Sequence, residues 1–165
     1  PYSSILPTTT AFARNAIFSG LMPSEIEKRY PNLWVGDNQE GGKNNSEEEL
    51  LAKQMQRLNI NAKMSYHKII HTNQGKDVLD NLNNLMHNKL NVLVYNFVDM
   101  LSHARTEMEM IKELADDEAA YRSLTVSWFE HSPLHDIVKK IADLGARLII
   151  TTDHGTVKVN NPVKI

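Results

Sequence analysis

Two rhythms of apolar and polar positions run through the chain. Leu50, Leu51, Met55 and Leu58 recur at spacings of three and four, which predicts a helix over about 46–59 with one buried face. Phe12, Ala16, Ile17 and Leu21 do the same over 11–21, with Thr10 at the N-cap position. Val78, Leu79, Leu82, Leu85 and Met86 predict a third helix over 76–87. Against these, residues 62–69 alternate as a strand with one wet face. Residues 90–98, largely apolar, read as a second strand, and the apolar run 148–150 has the pattern of a strand buried on both faces.

Punctuation fills in the rest. A short strand is expected at 3–6, ended by Pro7. A brief helix capped by Ser24 runs to about Tyr30, and the Gly- and Asn-rich stretch 32–46 is a loop. Ser46 and Glu49 have capping-box spacing. Helices are expected over 106–115 and, after the Asp116-Asp117-Glu118 break, on to Trp128. Another starts at Ser132-Pro133 and ends at Gly145, and 156–165 reads as extended. Strands alternating with helices predict an α/β fold, a largely parallel sheet flanked by helices, in one domain over 1–165.

Composition narrows the function classes. With 165 residues, 41% of them hydrophobic, and a formal net charge of −2, the chain can bury a core and carries no bulk attraction for nucleic acid or anionic lipid. It has no cysteine, so a metal would have to be held by imidazole, carboxylate or hydroxyl. No apolar run approaches the roughly 18 residues of a membrane span, and no signal peptide is evident; no membrane partner is expected. The chain opens on Pro1 without Met and closes on Val163-Lys164-Ile165, so both ends are expected to continue.

Three stretches carry candidate chemistry. The run 148–150 ends in Thr151-Thr152-Asp153-His154-Gly155, and burial alone gives no reason for an Asp-His pair at a strand tip. The run 90–98 ends in Asp99, with His103 four residues on, so both can reach one ion from one side of a helical turn. Thr8-Thr9-Thr10 precedes a helix whose free N–H groups suit a phosphate, and a Thr hydroxyl bound to a metal becomes a usable nucleophile. Each has a plain alternative: a hydrogen-bonded turn, an i,i+4 pair, an ordinary cap. Arg14 reads as a solvated charge or a phosphate contact, and Lys43 in Glu40-Gly41-Gly42-Lys43-Asn44 as a residue of a substrate loop. His67 and His71 read as strand-face residues, and His87, His131 and His135 as helix-surface ones.

With these pieces assembled, the sequence resembles the alkaline phosphatase superfamily and, within it, the PglZ domain. Pro7-Thr8-Thr9-Thr10 with Ser19-Gly20 is similar to the nucleophile segment of nucleotide pyrophosphatase/phosphodiesterases, which places the nucleophile on Thr10. Asp99 and His103 match the Asp-x-x-x-His ligands of one metal, and Asp153 and His154 the Asp-His ligands of the other. The phrases Ala-Arg-Asn-Ala-Ile-Phe-Ser-Gly, Tyr-Asn-Phe-Val-Asp-Met-Leu-Ser-His and Thr-Thr-Asp-His-Gly are most similar to the effector domain of PorX-type response regulators, which control type IX secretion. The likeness spans nearly the whole chain. The family's further metal Asp, upstream of the nucleophile, and its further His, downstream of Asp-His-Gly, have no counterpart among these residues. On that account the chain as it stands is expected to be inactive while the intact protein is an enzyme.

The resemblance implies an alkaline-phosphatase-like two-metal phosphodiesterase acting on a nucleotide or oligonucleotide. Thr10 would be both nucleophile and metal ligand, with Arg14 and Lys43 as substrate contacts. Nitrogen and oxygen ligands make Zn2+ the first expectation for the two divalent ions and Mn2+ the second. The implied partners are a receiver domain in the same full-length chain and a second copy in a homodimer, and the implied location is cytoplasmic. A signalling output module with a vestigial site, docking protein partners, is the competing expectation. Sulfatase chemistry on this fold uses a modified Cys or Ser, which Thr10 cannot supply.

Overall fold

The computed structural model describes residue 5 and residues 8–35 and 42–155. The expected strand at 3–6 falls mostly, and the extended tail at 156–165 wholly, outside the described residues. The chain divides into two compact units: Pro1–Asn61 with Ile150–Ile165, and Ala62–Ile149.

In the first unit, helix α1 (Thr10–Ser19) packs on α3 (Glu47–Arg57), with α2 (Pro23–Arg29) and a 3-10 turn at Pro31–Leu33 between them in sequence. Their shared core is Ala13, Phe18, Ile26, Leu50, Leu51 and Met55, and Phe12 stacks on Trp34 with ring centroids 5.8 Å apart. Gly20 ends α1 in the left-handed conformation (φ 63°), and its N–H donates to the Ala16 carbonyl. A side chain there would be strained by that φ and would also press on the end of the Gln54 side chain.

Several expectations shift by one or two residues. Thr9, not Thr10, is the N-cap of α1, which makes Thr10 the first helical residue. The helix α2 starts at Pro23 after Met22 rather than at a Ser24 cap, because Pro is pre-set for the first helical position. Ser46 does precede α3, but its side chain makes no capping bond. Glu47 has turned inward instead.

The second unit is built on two parallel strands, β1 (Met64–Ile69) and β2 (Leu90–Tyr95), in register from Met64 opposite Leu90 to Ile69 opposite Tyr95. Between them run α4 (Thr72–Asp80) and α5 (Leu82–Leu85). After β2 come α6 (Phe97–Glu107), α7 (Glu109–Leu114), α8 (Glu118–Glu130) and α9 (Pro133–Asp143). A parallel pair needs such a crossover, and the helices cover the sheet. Ile69, Val78, Leu82, Leu85, Ile137 and Ile141 form one core cluster, where α4 meets α9. Leu101, Ala115 and Tyr121 form a second among α6, α7 and α8. This is the mixed α/β arrangement, parallel sheet flanked by helices, that the sequence pattern predicts.

Here too the boundaries move. The helix expected over 76–87 starts at Thr72, because Gln74 Oε1 accepts from the N–H groups of Ile70 and His71 and caps the turn. It then breaks at Asn81. The expected helix over 106–115 is interrupted at Met108, where the backbone is extended. Strand β2 stops at Tyr95 instead of reaching residue 98. Phe97 begins α6 and stacks face to face on Trp128 at 3.7 Å, and Tyr95 meets the same indole edge-on at 6.3 Å. Asp99 therefore sits in the first turn of a helix and not at a strand tip. The largest departure is residues 148–150. They join no strand, and Ile149 and Ile150 are 79% and 81% exposed. A strand buried on both faces needs neighbours to take its backbone groups, and among the described residues this segment has none.

Candidate functional site

In the first unit the N-terminal turn of α1 meets the Asp153-His154 turn. Thr10 Oγ1 lies 3.0 Å from His154 Nε2. The rest of the imidazole defines which way that contact runs. His154 Nδ1 is 3.2 Å from the carbonyl oxygen of Gly155, and a carbonyl only accepts, so Nδ1 carries the proton. In the neutral ring Nε2 then presents its lone pair, and the Thr10 hydroxyl donates to it. The turn is held by the Thr152 hydroxyl, which donates to the His154 carbonyl at 2.6 Å. Asp153 Oδ2 lies 3.7 Å from His154 Nε2, and both side chains are partly buried.

Two of the three separations among these donors are close to those of metal ligands. Ligand atoms about 2.0–2.2 Å from a tetrahedral zinc lie about 3.3–3.6 Å from one another. The 3.0 and 3.7 Å separations that share His154 Nε2 bracket that edge. Fixing Nδ1–H on a main-chain carbonyl is the usual way a ligating imidazole is oriented. Thr10 also stands where a helix leaves its first N–H groups without intrahelical acceptors, an environment that favours an anion.

Around Thr10 the 42–46 segment is sewn to α1. Asn44 Nδ2 donates to the Thr10 carbonyl at 3.2 Å. Asn15 Nδ2 donates to both the Ala11 carbonyl (2.8 Å) and the Lys43 carbonyl (2.9 Å), and Asn15 is 1% exposed. Arg14 Nη2 pairs with Glu47 Oε2 at 2.6 Å, with the Glu47 side chain 1% exposed at the start of α3. Arg14 is thus not a solvated charge; its guanidinium is engaged by a buried carboxylate. That carboxylate gains from the helix N-terminus it occupies. Lys43 lies in the pinned segment, half-buried.

Sequence reasoning singled out Thr10, Asp153, His154, Arg14 and Lys43, and all five fall in this unit. It missed Asn15 and Glu47. The available signal was a polar residue in the middle of an apolar helix face: Asn15 and Ser19, four apart, are both buried on α1 among Ala13 and Phe18.

Asp99 and His103 belong to the second unit. His103 Nε2 is 3.7 Å from Asp99 Oδ1, and its Nδ1 is 4.0 Å from Glu107 Oε1, along one exposed stripe of α6. The pairing expected from their spacing is present; no group of three or more His, Cys, Asp or Glu positioned for a metal occurs among the described residues. The second unit also has an open cleft of about 390 Å³ between β1 and α4, lined by His67, Gln74, Asp77 and Asn81 among others, which holds none of the predicted site residues. Among the described residues no helix is long and apolar enough to cross a membrane.

One unit carries the parallel α/β arrangement, and the other sets a threonine hydroxyl against an Asp-His turn at a helix N-terminus. Residues 1–165 match the family model of the BREX system PglZ alkaline phosphatase-like domain, and the chain belongs to that family. No curated protein matches the chain.

Proposed function

We propose that the protein is a metal-dependent phosphodiesterase of the alkaline phosphatase type, with Thr10 as nucleophile. The observation that carries this reading is the Thr10 Oγ1 to His154 Nε2 contact of 3.0 Å, with the imidazole proton held on the far nitrogen. Asp153 and His154 with Thr10 would hold one divalent ion, and Asp99 with His103 would hold a second; zinc suits the nitrogen and oxygen donors best, and manganese next. When bound, such ions lower the pKa of a coordinated hydroxyl and neutralise charge on the leaving oxygen. Thr10 then gives up its proton and its Oγ attacks phosphorus. A P–Oγ bond forms, the ester P–O bond breaks, and the alcohol leaves with a proton. Water hydrolyses the phosphothreonine and restores the hydroxyl. The N-terminal turn of α1 carries part of the phosphate charge.

A nucleotide or oligonucleotide diester is the proposed substrate class. It rests on the likeness of the Pro7 to Gly20 stretch to the pyrophosphatase-type nucleophile segment. The likeness to PorX-type effector domains further supports a cytoplasmic output role downstream of a receiver domain, with a homodimer as the assembled form.

The test is hydrolysis of bis-p-nitrophenyl phosphate by the full-length protein with added zinc, beside Thr10→Ala and with p-nitrophenyl phosphate in parallel. Loss of diester cleavage in Thr10→Ala supports the reading. Equal rates for the two proteins would refute a Thr10 nucleophile and leave the docking-module alternative standing.

A further inference from the structure

The segment 42–46 contains one cation, Lys43, and three uncharged polar side chains, Asn44, Asn45 and Ser46, and it is short and glycine-led. Such a segment does not hold one conformation by its own propensity. Here two bonds tie it to α1, and a third ties down the residue after it. Asn44 reaches the Thr10 carbonyl, Asn15 grips the Lys43 carbonyl, and the Arg14–Glu47 pair anchors the residue that follows the segment. Asn15 and Glu47 are each 1% exposed, so neither can touch a substrate. Burying an amide and a carboxylate between two helices is unfavourable unless they are bonded, and Asn15 Oδ1 is left without a partner even so. Purely structural packing of α1 on α3 would be served as well by apolar residues. What the polar pair adds is directional control of the segment beside Thr10.

We propose that Asn15 and Glu47 are positioning residues that lock the 42–46 segment as one wall of the Thr10 site, so that Lys43 is held there for the anionic part of a phosphoester. This deepens the function proposed above and rests on it for the role of Thr10. Asn15 acts through the Lys43 main chain: both its amide hydrogens are spent, one on α1 itself and one on the segment. Glu47 acts through Arg14, whose side chain links the first turn of α3 to α1.

The test compares Asn15→Ala and the isosteric Asn15→Asp, whose carboxylate cannot donate to the Lys43 carbonyl, with Lys43→Ala and the double variant Asn15→Asp/Lys43→Ala. All are made in the full-length protein. Three readouts are taken: trypsin cleavage after Lys43, affinity for inorganic phosphate by calorimetry, and kcat and KM on bis-p-nitrophenyl phosphate. In Asn15→Asp, cleavage after Lys43 is expected to quicken, and phosphate affinity to fall and KM to rise by about tenfold, with kcat nearly unchanged. Lys43→Ala should give the same loss, with no further loss in the double variant. Unchanged phosphate affinity in Asn15→Asp, or additive losses in the double variant, would overturn the proposal. Should Asn15→Ala fail to fold, Asn15→Asp carries the same comparison. A full-length protein that cleaves no diester refutes the proposed reaction, whereas the phosphate and trypsin readouts still decide whether Asn15 positions the segment.

Discussion

Thr10 Oγ1 and His154 Nε2 stand 3.0 Å apart although 144 positions separate them in sequence. Two residues that act as one unit lose activity together. Thr10→Ala is expected to lower diester hydrolysis by about a thousandfold or more, and Thr10→Ala/His154→Ala to be little worse than either single change. Thr10→Ser keeps the hydroxyl and should retain measurable turnover. Single-turnover rates on bis-p-nitrophenyl phosphate check all four proteins.

Metal removal gives an independent handle on the same residues. On the two-ion reading, a chelator abolishes hydrolysis and added zinc restores it. Asp153→Asn weakens one donor without moving it, so the zinc concentration for half-maximal activity should rise by about 10–100-fold, as changes in or around a metal shell do. Activity titrated against buffered free zinc reads this directly; an unshifted midpoint would remove Asp153 from the site.

The Arg14–Glu47 pair should behave as a buried ion pair does. Glu47→Ala removes the buried carboxylate beside the guanidinium and is expected to cost about 3–5 kcal/mol, whereas replacing both partners with Met and Leu should recover most of that loss. Urea denaturation of the single and double variants decides it. A loss below about 1 kcal/mol for Glu47→Ala would mark the pair as solvated.

Tyr95 and Gly75 are coupled by space. A Cβ on Gly75 would stand 2.7 Å from Tyr95 Oη and 3.1 Å from the Pro133 side chain. Gly75→Ala should therefore destabilise by about 1–3 kcal/mol, and Tyr95→Phe should relieve part of it. The Tyr95 hydroxyl is buried without a partner, so Tyr95→Phe alone should be neutral or stabilising. Burial pushes the phenol up from 10.0 to about 12. Between those values the folded protein holds a proton that the unfolded chain has released. Stability from this group is thus full below about pH 10 and is lost as pH rises toward about 12. Denaturation across that window should show a fall in the wild type that Tyr95→Phe lacks.

Much of the architecture was legible because burial imposes periodicity. Leu50, Leu51 and Met55 on α3, the alternation in β1, and the Ser132-Pro133 start of α9 all speak through local pattern. The Thr10 and His154 segments were legible as chemistry, since neither a helix start nor a turn requires those side chains. What local pattern could not carry was competition from distant contacts. The Phe97–Trp128 stack sets where β2 gives way to α6, and Trp128 lies 31 positions from Phe97. Glu47 drew no notice because its partner, Arg14, lies on another helix. Residues 148–150 matched a buried strand by composition, but composition does not supply the neighbouring strand that would make them one.

The Gly155 carbonyl that accepts from His154 Nδ1 is main chain, and a Cβ added at Gly155 would meet none of the described residues within 4 Å. Which nitrogen of His154 bears hydrogen is therefore insulated from the identity of the residue that dictates it. Gly155→Ala is expected to leave the lone pair facing Thr10 where it is, since the main-chain carbonyl survives the change.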